Sequence, residues 1–209
     1  APTELRKAGA EAPSADVEGI NLRLAYRPPY DIDGSLRFLA QRALTGVEHV
    51  DLEARTIRRA LRIDTVEASH AGWICARFQP GRDELRLSLS ASLLPVVGRV
   101  IGVVRHALDL DAEPAAMAPL LATVPSPGVE GLRVPGCFDH FETTIRIVLG
   151  QQVSVAAART LALRLMERFG TPLEHGLPGL VHRLFPAPKL LALANEDDLG
   201  RLGIVRTRS

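Results

Sequence analysis

Between Asn21 and Ser90 apolar positions recur mainly every second residue; after Ser90 they recur every third or fourth. Leu22, Leu24 and Tyr26 alternate with Arg23, Ala25 and Arg27, which predicts a strand that Pro28-Pro29 stops. Asp33 offers a cap for a helix to about Leu44, with Leu36, Leu39, Ala40 and Ala43 as its buried stripe. Phe38 lies opposite that stripe, beside Arg42, and a large aromatic there needs another surface to cover it. Four more strands are predicted over 47–51, 55–63, 72–79 and 84–90, the last two joined by the hairpin chemistry of Pro80-Gly-Arg-Asp83. Leu85, Leu87 and Leu89 alternate with Arg86, Ser88 and Ser90, giving one buried face and one wet face. Trp73 is expected in the core; Arg58, Arg59 and Arg62 could form a DNA patch, but a solvated strand face is the reading preferred. Ser92 caps a helix to about Leu108, with Val96, Val97, Val100, Ile101, Val104 and Leu108 inward. The first unit therefore reads β-α-β-β-β-β-α.

Residues 113–121 read as a short helix, and 123–133 as a loop at an internal boundary. Val134 to Val155 then reads as a helix, a polar corner and the start of a second helix. The first helix carries Phe138, Phe141, Ile145, Val148 and Leu149 on one face, with Asp139, Glu142 and Arg146 on the other. Glu142 to Arg146 is a favourable i,i+4 pair. Gly150 ends this helix, Gln151 and Gln152 form an exposed corner, and Ser154 caps the next helix. Backbone N–H groups left unpaired at such a start can hold a phosphate, and the corner can present a side chain to a minor groove. The second helix places Val155, Ala158, Ala162, Leu165, Met166 and Phe169 on one face and stops at Gly170 and Pro172. The stretch to Phe185 reads as a loop, 186–194 as a short helix, and Asn195 as the cap of another.

Composition changes this picture little. Lys plus Arg total 25 against 24 Asp plus Glu, so the chain is no strongly basic nucleic-acid binder, though a local basic face remains open. Lys7 and Lys189 are the only lysines. Cys75 and Cys137 stand in no paired motif, which implies neither a zinc knuckle nor a disulfide framework and fits a reduced compartment. No signal peptide opens the chain, and the most apolar run, Leu93 to Val104, is interrupted by Pro95 and Arg99. Membrane partners, metals and cofactors are not expected.

Four blocks occur in an order that resembles one family. They are Leu24-Ala-Tyr-Arg-Pro-Pro-Tyr-Asp31, Phe38-Leu-Ala-Gln-Arg-Ala43, Leu132-Arg-Val-Pro-Gly-Cys-Phe-Asp-x-Phe-Glu, and Val148-Leu-Gly-Gln-Gln-Val-Ser-Val155. Together they resemble the AlkA-type DNA glycosylases, the 3-methyladenine DNA glycosylases II of the helix-hairpin-helix superfamily, over roughly 21–209. The resemblance implies an α+β fold: an antiparallel sheet with packed helices, similar to half a TATA-binding protein, then the first helices of an all-α glycosylase domain; it implies that the helical part does the main DNA work and that the sheet does not read DNA. The division expected is 1–19 as a linker or the tail of a preceding helix-turn-helix domain, 20–112 as the α+β domain, and 113–209 as a partial helical domain, truncated before the helix-hairpin-helix. Ala1-Pro-Thr-Glu-Leu-Arg-Lys7, where Thr3 can cap a first helical turn, is similar to the end of an AraC-type domain, which implies a chain cut from an Ada–AlkA fusion.

The activity implied is hydrolysis of the N-glycosidic bond of 3-methyladenine and related alkylated purines, on double-stranded DNA in the bacterial cytosol. The base is flipped into a pocket, a carboxylate stabilises the cationic sugar, and aromatic walls suit a cationic base. Gln152 falls at the wedge position, with Gln151, Val153 and Ser154 as further DNA-binding candidates and Phe38 as a pocket wall. The Leu-Pro-Gly-Ile-Gly hairpin and the Asp that follows it have no counterpart, so no catalytic residue is assigned to this chain. Glu196, Asp197 and Asp198 fall in another block and do not inherit that role. The fragment alone is expected neither to excise bases nor to bind DNA tightly. The alternatives are a non-catalytic DNA-damage-binding or regulatory module, and an interaction scaffold that makes no DNA contact.

Overall fold

The computed structural model describes residues 19–123, 130–177 and 179–204. The tail expected over 1–19 lies outside the described residues except for Gly19, as does the Thr3 cap.

Strand β1 (Ile20–Ala25), helix α1 (Ile32–Arg42), strands β2 (Glu48–Asp51), β3 (Thr56–Asp64), β4 (Ser69–Phe78) and β5 (Glu84–Leu89), and helix α2 (Val97–Ala107) follow one another in the predicted order. The strands form an antiparallel sheet in the order β1-β5-β4-β3-β2. Alternation sets its faces. Leu22, Ile57, Ala76 and Leu87 point to one side, where Leu36 of α1 and Val100 and Val104 of α2 complete a core. Ala60, Trp73 and Cys75 point to the other side and join a second core with Leu149, Leu161, Leu165, Leu173 and Val181. Strands β3 and β4 are thus apolar on both faces along part of their length.

The rest of the chain builds that second core. Helices α3 (Pro114–Leu121), α4 (His140–Leu149) and α5 (Val155–Phe169) are followed by β6 (Thr171–Leu177), β7 (Val181–Leu184), α6 (Pro188–Leu191) and α7 (Glu196–Arg201). Among the described residues no helix is long and apolar enough to cross a membrane.

Several local expectations change; Phe138, expected on α4, precedes its cap Asp139. The cap of α1 is Asp31, whose Oδ1 accepts from Gly34 N at 2.8 Å; Asp33 instead takes Arg55 at 3.1 Å. The helix expected from Ser92 opens instead as a 3-10 turn over Ala91–Val96 after Ser90, and Ser92 Oγ lies 2.9 Å from Ser90 Oγ rather than capping a helix. The loop expected after Gly170 contains the β6–β7 hairpin, irregular between Pro172 and Leu177 and tied to the first half by His182 N donating to Gly46 O at 2.8 Å. Val155, expected inward on α5, is exposed. Arg59 is 3 % exposed rather than solvated, since it shares the pleat of Ile57, Leu61 and Ile63 while Arg58 and Arg62 take the other. Trp73, 4 % exposed, sits in the core as expected.

The chain has two tyrosines, and both pack with Phe78 at ring separations of 5.0 to 6.0 Å. Tyr30 donates to Leu108 O at 2.6 Å, and burial pushes its pKa up to about 12 from 10.0. Burial raises Tyr26 as well. A folded pKa above the unfolded one gives stability that is whole below pH 10 and lost as pH rises towards about 12. Alkaline absorbance titration at pH 10 should therefore show less tyrosinate in the folded chain than in the unfolded one, with Tyr30 still protonated, and the unfolding midpoint should fall between pH 10 and about 12. Half-formed tyrosinate at pH 10 with native far-UV dichroism would contradict this packing.

Candidate nucleic-acid interface

The corner between α4 and α5 is built by three residue choices. Asp139 Oδ1 accepts from Glu142 N at 2.9 Å and starts α4; the amide of Gly150 closes it on Arg146 O; Ser154 Oγ accepts from Ala157 N at 3.2 Å and starts α5. Between them Gln151 donates through Nε2 to Ile147 O at 3.2 Å, which holds its amide against the end of α4. Gln152 has φ +57°, a left-handed backbone that a non-glycine residue adopts at a cost of roughly 1–3 kcal/mol. Gln151, Gln152 and Ser154 are exposed and Val153 is half-buried. Ile147, Val148 and Val155 expose apolar surface around the same corner.

Beside the corner lies a cavity of about 430 Å³. Phe38 of α1, 40 % exposed, lines it together with Val153 and Val155. Phe38 and Val153 are therefore brought together, while Gln151, Gln152 and Ser154 stand at the corner outside the lining. Arg42 lies over the Phe38 ring at 3.8 Å and donates to Phe38 O at 3.1 Å, so a cation already occupies one ring face.

The lining also includes an ionic cluster, of which sequence reading named only the Glu142–Arg146 pair. Arg59 of β3 pairs with Glu48 of β2 and Glu142 of α4, and Arg146 reaches Glu142 at 2.9 Å and Glu48 at 3.6 Å. Glu142 is 2 % exposed. Two cations meet two anions, so neither carboxylate is left to stabilise a reaction intermediate. The available signal was Arg59 itself, a charge within the apolar alternation of Ile57, Leu61 and Ile63. At the same cavity Cys137 Sγ lies 3.2 Å from His140 Nδ1. Among the described residues no group of three or more His, Cys, Asp or Glu side chains could hold a metal ion.

The family model of the AlkA N-terminal domain matches residues 21–139, more than half of the chain. The chain belongs to the AlkA N-terminal domain family. The matched AlkA segment contains Phe38, Arg42 and the sheet, and ends at Asp139, the residue that caps α4. DNA-3-methyladenine glycosylase 2 of Escherichia coli is 35 % identical over 89 % of this chain, and a probable bifunctional transcriptional activator/DNA repair enzyme AlkA of Mycobacterium tuberculosis is 33 % identical over 99 % of it. The chain spans 62 % of the first and 41 % of the second. The 3-methyladenine DNA glycosylase of Archaeoglobus fulgidus superposes with a TM-score of 0.69 at 19 % identity, over 90 % of this chain and 63 % of that one. That likeness supports an α+β AlkA-type fold running on into the helices.

Proposed function

We propose that this chain is the DNA-engaging part of an AlkA-type glycosylase that removes 3-methyladenine and related alkylated purines from double-stranded DNA. The observation that carries this is the exposed Gln151–Gln152 corner, with Gln152 held at positive φ, next to a cavity walled by Phe38. An extruded base needs a pocket beside the place where a side chain fills the gap it leaves. Gln152 is the wedge, with Gln151, Val153 and Ser154 flanking it, and Phe38 is the face on which a base stacks. The carboxylate that stabilises the sugar cation comes from outside this chain, which alone excises nothing. The domain division at 112/113 belongs to the same reading, as do a bacterial cytosolic setting and a fusion to an Ada-type module ahead of residue 1. The bifunctional name of the Mycobacterium relative supports the fusion.

Fluorescence anisotropy with two duplexes, one carrying a single tetrahydrofuran abasic analogue, tests this reading. The chain should prefer the gapped duplex. Gln152→Ala should reduce that preference by a few-fold to about tenfold, the worth of one or so hydrogen bonds. Equal affinity for both duplexes, or an unchanged preference in the variant, would remove the wedge from the account. Release of 3-methyladenine by the chain alone would instead place a catalytic carboxylate within it.

A further inference from the structure

The sheet carries a second basic feature, away from the glutamine corner's own residues. Register pairs Arg23 of β1 with Arg86 of β5, and Arg86 with Arg77 of β4. Directly paired residues share a face, so three guanidinium-bearing side chains stand side by side on three adjacent strands. They alternate with Leu22, Leu24, Leu85, Leu87, Ala76 and Phe78, all of which face the first core. The ladder therefore lies on the opposite face. One row further along, Asn21, Ser88, Cys75 and Arg58 align on that same face. Beyond them Trp73 and Ala60 are covered by the second core, which leaves the arginine rows at the open end.

Among the described residues no carboxylate lies within ion-pair distance of Arg23, Arg58, Arg77 or Arg86. Arg58 donates to Thr56 Oγ1 at 3.1 Å. Three strand acids share the face, and one of them, Asp64, ends β3 at the far side from the ladder. Glu84 takes Arg82 at 3.4 Å, and Asp51 accepts from Ala54 N at 2.9 Å. Like charges directly opposite one another across strands destabilise a sheet. Three aligned guanidinium groups with no acid between them leave a local row of positive charge that an external anion would neutralise.

Its dimensions choose the anion. Adjacent strands lie about 4.8 Å apart, so three columns span roughly 10 Å. A duplex carries one charge per about 1.7 Å of axis, so several phosphates face such a span. Arginine suits phosphate oxygens through its planar fork. We propose that the open face of the sheet is a second, sequence-independent contact for the phosphodiester backbone of duplex DNA, formed by Arg23, Arg77 and Arg86 with Arg58 beside them. The proposal rests on the DNA reading above for its choice of polyanion, but it makes no use of the pocket.

Binding of the full chain to an undamaged duplex, measured from 50 to 200 mM salt, tests it. The Arg23→Ser/Arg77→Ser/Arg86→Ser variant should show a log–log salt slope shallower by about 2.7 than wild type, at 0.9 per lost phosphate contact. Over that fourfold salt range its affinity should fall about 40-fold less than that of wild type. The corresponding triple Arg→Lys variant should retain the wild-type slope, and matching thermal melts confirm that all three proteins are folded. An unchanged slope in the Ser variant overturns the proposal, as does a wild-type chain that binds no duplex at 50 mM salt. Tighter binding to poly-glutamate than to a duplex of equal charge also overturns it, and reassigns the face to an acidic protein. The wedge reading is scored separately, by the ratio of gapped to intact duplex affinity. The ladder variants should weaken both duplexes alike and leave that ratio untouched.

Discussion

Glu142→Ala should destabilise the chain by about 3–5 kcal/mol, the usual cost of breaking a buried ion pair from one side. Glu142 is the anion that Arg59 and Arg146 share, and both Glu142 and Arg59 are almost fully enclosed. Removing it leaves a surplus positive charge in the cluster. Glu48 alone must then answer Arg59 and Arg146, and Arg59 Nε already has no partner. Restoring the charge balance tests whether charge, rather than volume, is responsible. Arg59→Met combined with Glu142→Leu should be more stable than Glu142→Ala, because apolar replacement of a whole buried pair is often near neutral. Urea unfolding midpoints measure both variants. A loss below about 1 kcal/mol for Glu142→Ala would mean that water reaches Arg59 and that the cluster behaves as a surface pair. The cluster also floors the cavity and anchors the helix that carries the glutamine corner, so the same variant should lose its preference for the gapped duplex.

Trp73→Ala should cost a similar 3–5 kcal/mol for a different reason. The indole fills the space between the sheet and the second core, next to Ala60 on the neighbouring strand. Its main chain is tied to the turn after β5, with Trp73 N donating to Ser90 Oγ at 3.2 Å and Ser90 N donating back to Trp73 O at 3.0 Å. Deleting the ring leaves a void that strands on both sides cannot collapse into. Trp73→Phe fills most of that void and should recover more than half of the loss. Far-UV dichroism follows unfolding here, since the only tryptophan is the one removed. Equal stability of the Ala and Phe variants would argue that the site is looser than its burial indicates.

The strands, their order and the caps at Ser154 and Asn195 were legible because each rests on local chemistry. Period-two alternation names a strand wherever it falls, and a serine before an apolar-periodic run names a helix start. The β6–β7 hairpin was not legible. Its strands pair through an irregularity near Pro172, and their support comes from Gly46, far away in the chain. The Glu142–Arg146 pair was read correctly at i,i+4, yet its burial was not. That depends on Arg59, whose contact with Glu142 spans 83 positions. Around the site, the exposure of the glutamine corner and the odd placement of Phe38 could be read from spacing. The cation resting on Phe38 could be read only as a neighbour at i+4, not as a stacked partner.

Strands β3 and β4 serve as a party wall. Ile57, Leu61 and Ile74 furnish one room while Ala60, Trp73 and Cys75 furnish the other, and neither room can be redecorated without the neighbour noticing. Sequence drift should therefore be slow in the wall and fast at its periphery. Phe38, Arg42 and the two glutamines stand on that periphery, so a lineage can retune what the cavity accepts while leaving the partition between its two halves intact.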